Sequence, residues 1–171
     1  MSLEHLWAGW RSAYVQEHAA GTADALDTTG GSIFTRILAA GLPDADIGVV
    51  HRGERCFVIL NRFPYGTGHL LVLPYREVAG LADLTDDEHA ELWSTVRDSV
   101  AALIAAYQPD GVNVGANLGA AAGAGVPGHL HIHVLPRWSA DSNFMTAVAE
   151  TRVLPEALPD TWQRLTAAWP A

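Results

Sequence analysis

The stretch His129-Leu130-His131-Ile132-His133 sets three imidazoles at every second position, with apolar residues between them. A β-strand alternates its side chains, so the three histidines would share one face and Leu130, Ile132 and Val134 the other. Ordinary solvent-facing alternation would put Ser, Thr, Lys or Glu at some of these positions. Three imidazoles in register point to a site. Two chemistries suit it. A His-x-His strand chelates zinc well, but it needs further ligands, often a carboxylate, and an activated water. No Asp or Glu lies between Gly111 and Ala140, no cysteine pair is near, and Arg137 stands where a metal-binding glutamate would be useful. The second chemistry is covalent. A neutral imidazole, with an ordinary pKa of about 6.5, is a nucleophile toward phosphorus near pH 7 and requires no metal or other cofactor. Neighbouring imidazoles can fix its tautomer and hydrogen-bond phosphate oxygens.

The segment before the histidines, GANLGAAAGAGVPG (115–128), holds five glycines. Such backbone can turn N–H groups toward phosphate oxygens. Residues 123–128 match the dinucleotide fingerprint GxGxxG literally, but they contain a proline and lead into a strand, whereas the fingerprint must open a helix. There is no GK[ST], so a P-loop is excluded as well. The Asn113 and Asn117 amides can hydrogen-bond phosphate or sugar. Arg137, four residues past His133, falls on the histidine face if the strand continues regularly.

Short elements must hold these residues. Residues 1–20 carry Leu3, Leu6, Trp7, Trp10 and Tyr14 at helical spacing, and 20–31 read as a loop. SIFTRILAAG (32–41) predicts a short helix ended by Gly41. IGVVHR (47–52) and RCFVILN (55–61) read as two strands, and HLLVLP (69–74) as a third. Thr85 and Glu88 form a capping box that opens a long helix running to about Tyr107. GVNVGANLG (111–119) is a fourth strand, HLHIHVLPRW (129–138) a fifth, and PDTWQRLTAAW (159–169) a terminal helix. The order gives an α+β fold: a mainly antiparallel five-stranded sheet crossed by one long helix, with short terminal helices.

The 171 residues suit a single domain, with 1–31 an N-terminal extension, 32–138 the core and 139–171 a C-terminal tail. No apolar run reaches the roughly 18 to 20 residues of a membrane span. The first residues lack the pattern of a signal peptide. One cysteine, Cys56, excludes an internal disulfide and fits a cytoplasmic setting. A net charge of −9 argues against a nucleic-acid partner. All ten basic residues are arginine, which favours bidentate phosphate contacts. The acidic residues gather elsewhere, notably over 83–91, so a carboxylate-free 111–140 and Arg137 would keep the site locally non-negative.

These motifs resemble the histidine triad family, whose signature is His-φ-His-φ-His-φ-φ with φ apolar. Here it is His129 to Leu135. A second segment, Asn61-Arg-Phe-Pro-Tyr-Gly-Thr-Gly68-His69-Leu-Leu-Val-Leu-Pro74, is similar to the family's N-x-x-P-x-x-P-G-H-x-x-V-x-P, with Thr67 for the second proline. The likeness covers roughly residues 32–145. It looks nearest to the branch of fragile-histidine-triad dinucleoside polyphosphate hydrolases and actinobacterial diadenosine tetraphosphate phosphorylases, through NLG, HLHIHVLPRW and DSNF (141–144). The resemblance implies a dimeric α+β fold that cleaves the α-phosphate linkage of a dinucleoside polyphosphate. It implies His131 as nucleophile, His129 and His133 as orienting and phosphate-binding groups, Asn117 at phosphate, Asn61 near ribose and His69 near the nucleotide pocket. Two departures bear on chemistry. Ser32 and Thr35 occupy a position where some members carry Cys-x-x-Cys and a structural zinc, so that zinc is not expected. Val126 stands where hydrolase relatives carry Ser or Thr, so a backbone N–H of Gly125 or Gly128 would have to serve. Water or inorganic phosphate is accessible as the second acceptor, and the nearer likeness to the actinobacterial branch favours phosphate. A divalent cation arriving with the polyphosphate is compatible with either. AMP-conjugate hydrolysis, a non-catalytic nucleotide-binding dimer and the zinc hydrolase stand as alternatives.

Overall fold

The computed structural model describes residues 30–139, 141 and 156–170. The expected N-terminal helix and Asn143-Phe144 lie outside them. Five strands form one sheet in the order β1-β2-β3-β5-β4, and every neighbouring pair is antiparallel. They are β1 Val49–Arg52, β2 Cys56–Leu60, β3 Leu70–Pro74, β4 Gly111–Gly115 and β5 Ile132–Arg137. The helices are α1 Ile33–Ala39, α2 Asp44–Ile47, α3 Asp86–Tyr107 and α4 Leu158–Ala167.

β2 and β3 are buried along their whole length, which explains their near-continuous apolar sequence. Alternation divides them. Val58, Leu60, Leu70, Val72, Ile132 and Val134 pack under Leu92, Val96 and Leu103 of α3 and Leu165 of α4. Phe57, Ile59, Leu71 and Leu73 face the other way and pack with Phe34 of α1. The histidines belong to this second face, so the site sits on a sheet covered on both sides.

α3 begins as its sequence predicts. The Thr85 hydroxyl accepts the Glu88 N–H at 3.2 Å, and the Glu88 carboxylate accepts the Thr85 N–H at 2.8 Å. Glu88 also receives Arg76 through Nε at 2.9 Å and Nη2 at 2.6 Å. These bonds, the Arg76 guanidinium first, hold its carboxyl down at about 2.

Three boundaries differ from expectation. Residues 44–47 form the one-turn helix α2, started by Pro43 and ended by Gly48 at φ +76°, so β1 starts at Val49 rather than Ile47. The fourth strand stops at Gly115 rather than Gly119; residues 116–131 are a connection with one 3₁₀ turn at Ala120–Ala122, entered through Gly119 at φ +83°. The fifth strand starts at Ile132, because the Leu130 N–H bonds the Val78 carbonyl at 2.6 Å and not β3. The C-terminal segment is tied to the body. Leu165 is fully buried and the Trp162 Nε1–H donates to the Val49 carbonyl at 2.7 Å.

Replacing Glu88 by Ala removes the capping box and leaves Arg76 without its carboxylate. Chemical denaturation should show a loss of about 1–2 kcal/mol. An unchanged midpoint would mean that the box does not anchor α3.

Candidate functional site

The histidine face is built by register. His133 sits opposite Leu71 on β3 and Gly115 on β4. Gly115 has no side chain and nothing lies within 4 Å of where a Cβ would be, so the surface beside His133 is open. His129 and His131 precede β5 but keep its alternation. Phe34 of α1 packs on both, with ring centroids 5.6 Å and 5.8 Å away. The His131 and His133 rings are 5.1 Å apart at 72°.

Partners that can only donate or only accept assign the tautomers. His131 Nδ1 is 2.8 Å from the His129 carbonyl oxygen, which can only accept. The proton is therefore on Nδ1, and Nε2 carries the lone pair. His69 Nδ1 faces the Tyr65 N–H at 3.0 Å, which can only donate. His69 must then donate from Nε2 to His133 Nδ1, 2.9 Å away. The proton of neutral His133 is left on Nε2, which is buried and has no hydrogen-bond partner among the described residues. Burial, with the charged form of His131 beside it, pushes the His133 imidazole down to about 4. His133 is thus neutral at pH 7 and holds an unspent N–H.

His129 is tied at both ring nitrogens. Nε2–H donates to the Pro74 carbonyl at 2.8 Å, and Nδ1 accepts from the Ser32 hydroxyl at 2.6 Å. Burial lowers its pKa as well. It is 1% exposed, and His131 is 7% exposed. His129 has no free nitrogen to offer a phosphate.

A cleft of about 350 Å³ opens beside the triad, lined among others by Tyr65, His69, Asn113, Asn117, His133 and Arg137. Arg137 lies on the histidine face, as the alternation predicts, but its charge is not free. Asp141 holds it through Nε at 2.5 Å and Nη2 at 2.6 Å, and Asn113 Oδ1 accepts its Nη1–H at 3.1 Å. The carboxylate-free window thus ends one residue too early to describe the local charge. Asn117 borders the cleft with its amide 3.5 Å from the Gly123 carbonyl.

Asn61, Gly125, Gly128, His129 and His131 do not line the cleft; His131 lies behind His133, which does, with the two ring centroids 5.1 Å apart. Asn61 accepts the Phe63 N–H at 3.0 Å and lies 3.4 Å from His69 Nδ1, so it shapes the loop that holds His69. Val126 packs against the apolar cluster of the histidine face. Trp138 packs edge-on against Tyr107, 6.2 Å away. Sequence reading overlooked Tyr65, whose ring lies 5.7 Å from that of His133, and Asp141 as the partner of Arg137. Both carry a local signal: Tyr65 lies in the Asn61–Pro74 segment and Asp141 is at i+4 from Arg137.

A fixed imidazole lone pair beside a buried, unspent N–H and an open polar cleft is equipped for nucleophilic transfer of a phosphorus group. The HIT domain matches residues 43–140, and the chain belongs to the HIT family. It is 39% identical over 167 residues to an AP-4-A phosphorylase of Mycobacterium tuberculosis, covering 98% of this chain and 85% of that one. An asymmetrical bis(5'-nucleosyl)-tetraphosphatase of Schizosaccharomyces pombe is 36% identical over 93 residues, 54% of this chain and 50% of that one. A zinc-bound histidine triad protein of Mycobacterium smegmatis superposes with a TM-score of 0.64 at 27% identity, over 80% of this chain and 91% of that one.

Zinc does not fit the Ser32–Thr35 position here. Both His129 nitrogens are engaged, and two hydroxyls are poor substitutes for thiolates. Among the described residues no group of three or more His, Cys, Asp or Glu could hold a metal.

The depressed imidazoles make stability depend on pH with a definite sign. The unfolded chain takes up protons near pH 6.5, whereas folded His133 does so only near 4. Stability is therefore full above about pH 6.5 and falls as pH drops toward 4, with His129 acting in the same direction. Glu88 is lowered from 4.5 to about 2, so its contribution fades only below about pH 4.5 and leaves this window clean. The thermal midpoint should fall between pH 7 and pH 5, and fall less in His133→Asn. Equal falls in the two proteins would contradict the assignment.

Proposed function

We propose that this protein cleaves dinucleoside polyphosphates, with adenine nucleotides as substrate, through a nucleotidyl-histidine at His131 Nε2. The observation that carries the reading is the Nδ1–H bond to the His129 carbonyl, which aims the free lone pair of the ring away from the backbone. In the first step Nε2 attacks the α-phosphorus. A P–N bond forms, the P–O bond to the polyphosphate breaks, and its electron pair leaves on the departing oxygen. The orphan His133 Nε2–H supplies a hydrogen bond to a phosphoryl or leaving oxygen. In the second step an acceptor oxygen attacks the same phosphorus and the P–N bond breaks. With inorganic phosphate as acceptor, diadenosine tetraphosphate gives ADP and ATP; with water it gives AMP and ATP.

Phosphorolysis is the better-supported course, because the likeness to the M. tuberculosis phosphorylase runs through nearly the whole chain. Asn117 and Arg137 border the cleft from positions suited to phosphate oxygens, His69 borders it and holds the His133 ring, and His129 supports His131 without touching substrate. Gly125 and Gly128 supply loop N–H groups only if the 116–131 loop closes on the phosphates. No resident metal takes part; a divalent cation comes with the polyphosphate and offsets its charge against a chain of −9. We infer a cytoplasmic homodimer without nucleic-acid or membrane partners. β4 is an open sheet edge with Val114 exposed, which suits pairing with a second copy, and no helix among the described residues is long and apolar enough to cross a membrane.

The test is incubation with diadenosine tetraphosphate, with and without phosphate, and chromatography of the products. ADP and ATP should appear only with phosphate. His131→Ala should lose on the order of 10³-fold or more in rate. AMP without phosphate would make the protein a hydrolase, and no turnover at all would favour AMP-conjugate hydrolysis or a binding role.

A further inference from the structure

We propose that Ser32, held by Glu77, is a positioning residue that sets the aim of His131 through His129. The claim rests on the nucleophile reading above. Ser32 caps α1, and its hydroxyl touches three groups: the Thr35 N–H at 3.3 Å, the Thr35 hydroxyl at 3.3 Å and His129 Nδ1 at 2.6 Å. Glu77 fixes the cap from behind, accepting the Ser32 N–H at 2.6 Å and the Thr35 hydroxyl at 2.5 Å. The chain around Glu77 grips the same place from the other side. The Pro74 carbonyl takes His129 Nε2–H, and the Val78 carbonyl takes the Leu130 N–H at 2.6 Å.

His129 is thereby clamped at both ring nitrogens and at the next peptide. Its carbonyl is the group that holds His131 Nδ1–H. A clamp on the first histidine is therefore a clamp on the carbonyl that orients the second. α1 adds a second hold, since Phe34 packs on both rings. Removing the Ser32 hydroxyl leaves a buried lone pair on His129 unpaired. The ring can then turn or shift to find a partner, and its carbonyl moves with it. Reaction rates are sensitive to displacements of this kind, whereas substrate binding in the cleft is not made by Ser32.

The experiment compares Ser32→Ala, Ser32→Thr and Trp162→Phe with wild type in the full-length protein. Initial rates with diadenosine tetraphosphate and phosphate give kcat and KM, and ¹⁵N-imidazole NMR reports the tautomers of His129 and His131. Ser32→Ala should lower kcat on the order of tenfold with KM nearly unchanged, and should shift the His129 Nδ1 and His131 signals. Ser32→Thr keeps a hydroxyl and should recover most of the rate. Trp162→Phe removes the α4 bond to the Val49 carbonyl on β1, lowers stability away from the histidines and should keep kcat. The proposal is overturned if Ser32→Ala keeps wild-type kcat and imidazole signals, if Thr rescues nothing, or if Trp162→Phe loses as much kcat. If wild type itself leaves the dinucleotide intact, the functional reading fails, and the imidazole spectra still decide whether Ser32 orders the two histidines.

Discussion

Everything at this site depends on one hydrogen bond: His131 Nδ1–H to the His129 carbonyl, 2.8 Å. It decides which nitrogen carries the lone pair and where that lone pair points. A free imidazole interconverts its tautomers and rotates about χ2; this one does neither at no cost. The bond is short-range in sequence, but it holds only if the His129 carbonyl itself is fixed. That requires the lead-in to β5 to be anchored by Pro74, Val78 and Ser32, residues brought in from two other parts of the chain.

Burial supplies the electrostatics. A sheet covered on one face by α3 and on the other by α1 keeps His129 and His133 out of water and so holds them neutral. Neutral neighbours leave His131 free of repelling cations when it attacks. The His69–His133 bond then places the remaining proton on a nitrogen that has no partner among the described residues. An orphaned buried donor is destabilising by itself. Its persistence beside the cleft is understandable if substrate oxygen satisfies it. Arg137, held by Asp141, adds a fixed dipolar arrangement rather than a bare charge, which suits a chain that is acidic as a whole.

Much of this was legible in the sequence because it is local. The alternation from His129 to Arg137 predicts the shared face, and the Thr85–Glu88 pair predicts the start of α3. The apolar runs 55–61 and 69–74 read as strands; that both their faces are covered comes from the structure. What escaped is of two kinds. α2 is a single turn, too short to show a period, and only Pro43 and Gly48 mark it. The start of β5 and the Ser32–His129 bond are non-local. No pattern within the strand shows that Leu130 pairs with Val78, and Ser32 lies 97 residues from His129. The position of Ser32 and Thr35 reads in sequence only as a zinc that is not expected; the structure shows a hydrogen-bonded clasp there. The resemblance places Asn61 near ribose; what the structure adds is that its side-chain oxygen accepts the Phe63 N–H within its own loop.

The central claim is that one imidazole nitrogen becomes bonded to phosphorus, and the most direct measurement is to trap that bond. Wild-type protein mixed with diadenosine tetraphosphate in the absence of phosphate, quenched in alkali and digested, should yield by mass spectrometry a peptide bearing a single AMP group on His131. The group should be labile to acid and absent from His131→Ala. Turnover without any adduct, or an adduct on His129 or His133, would contradict the account.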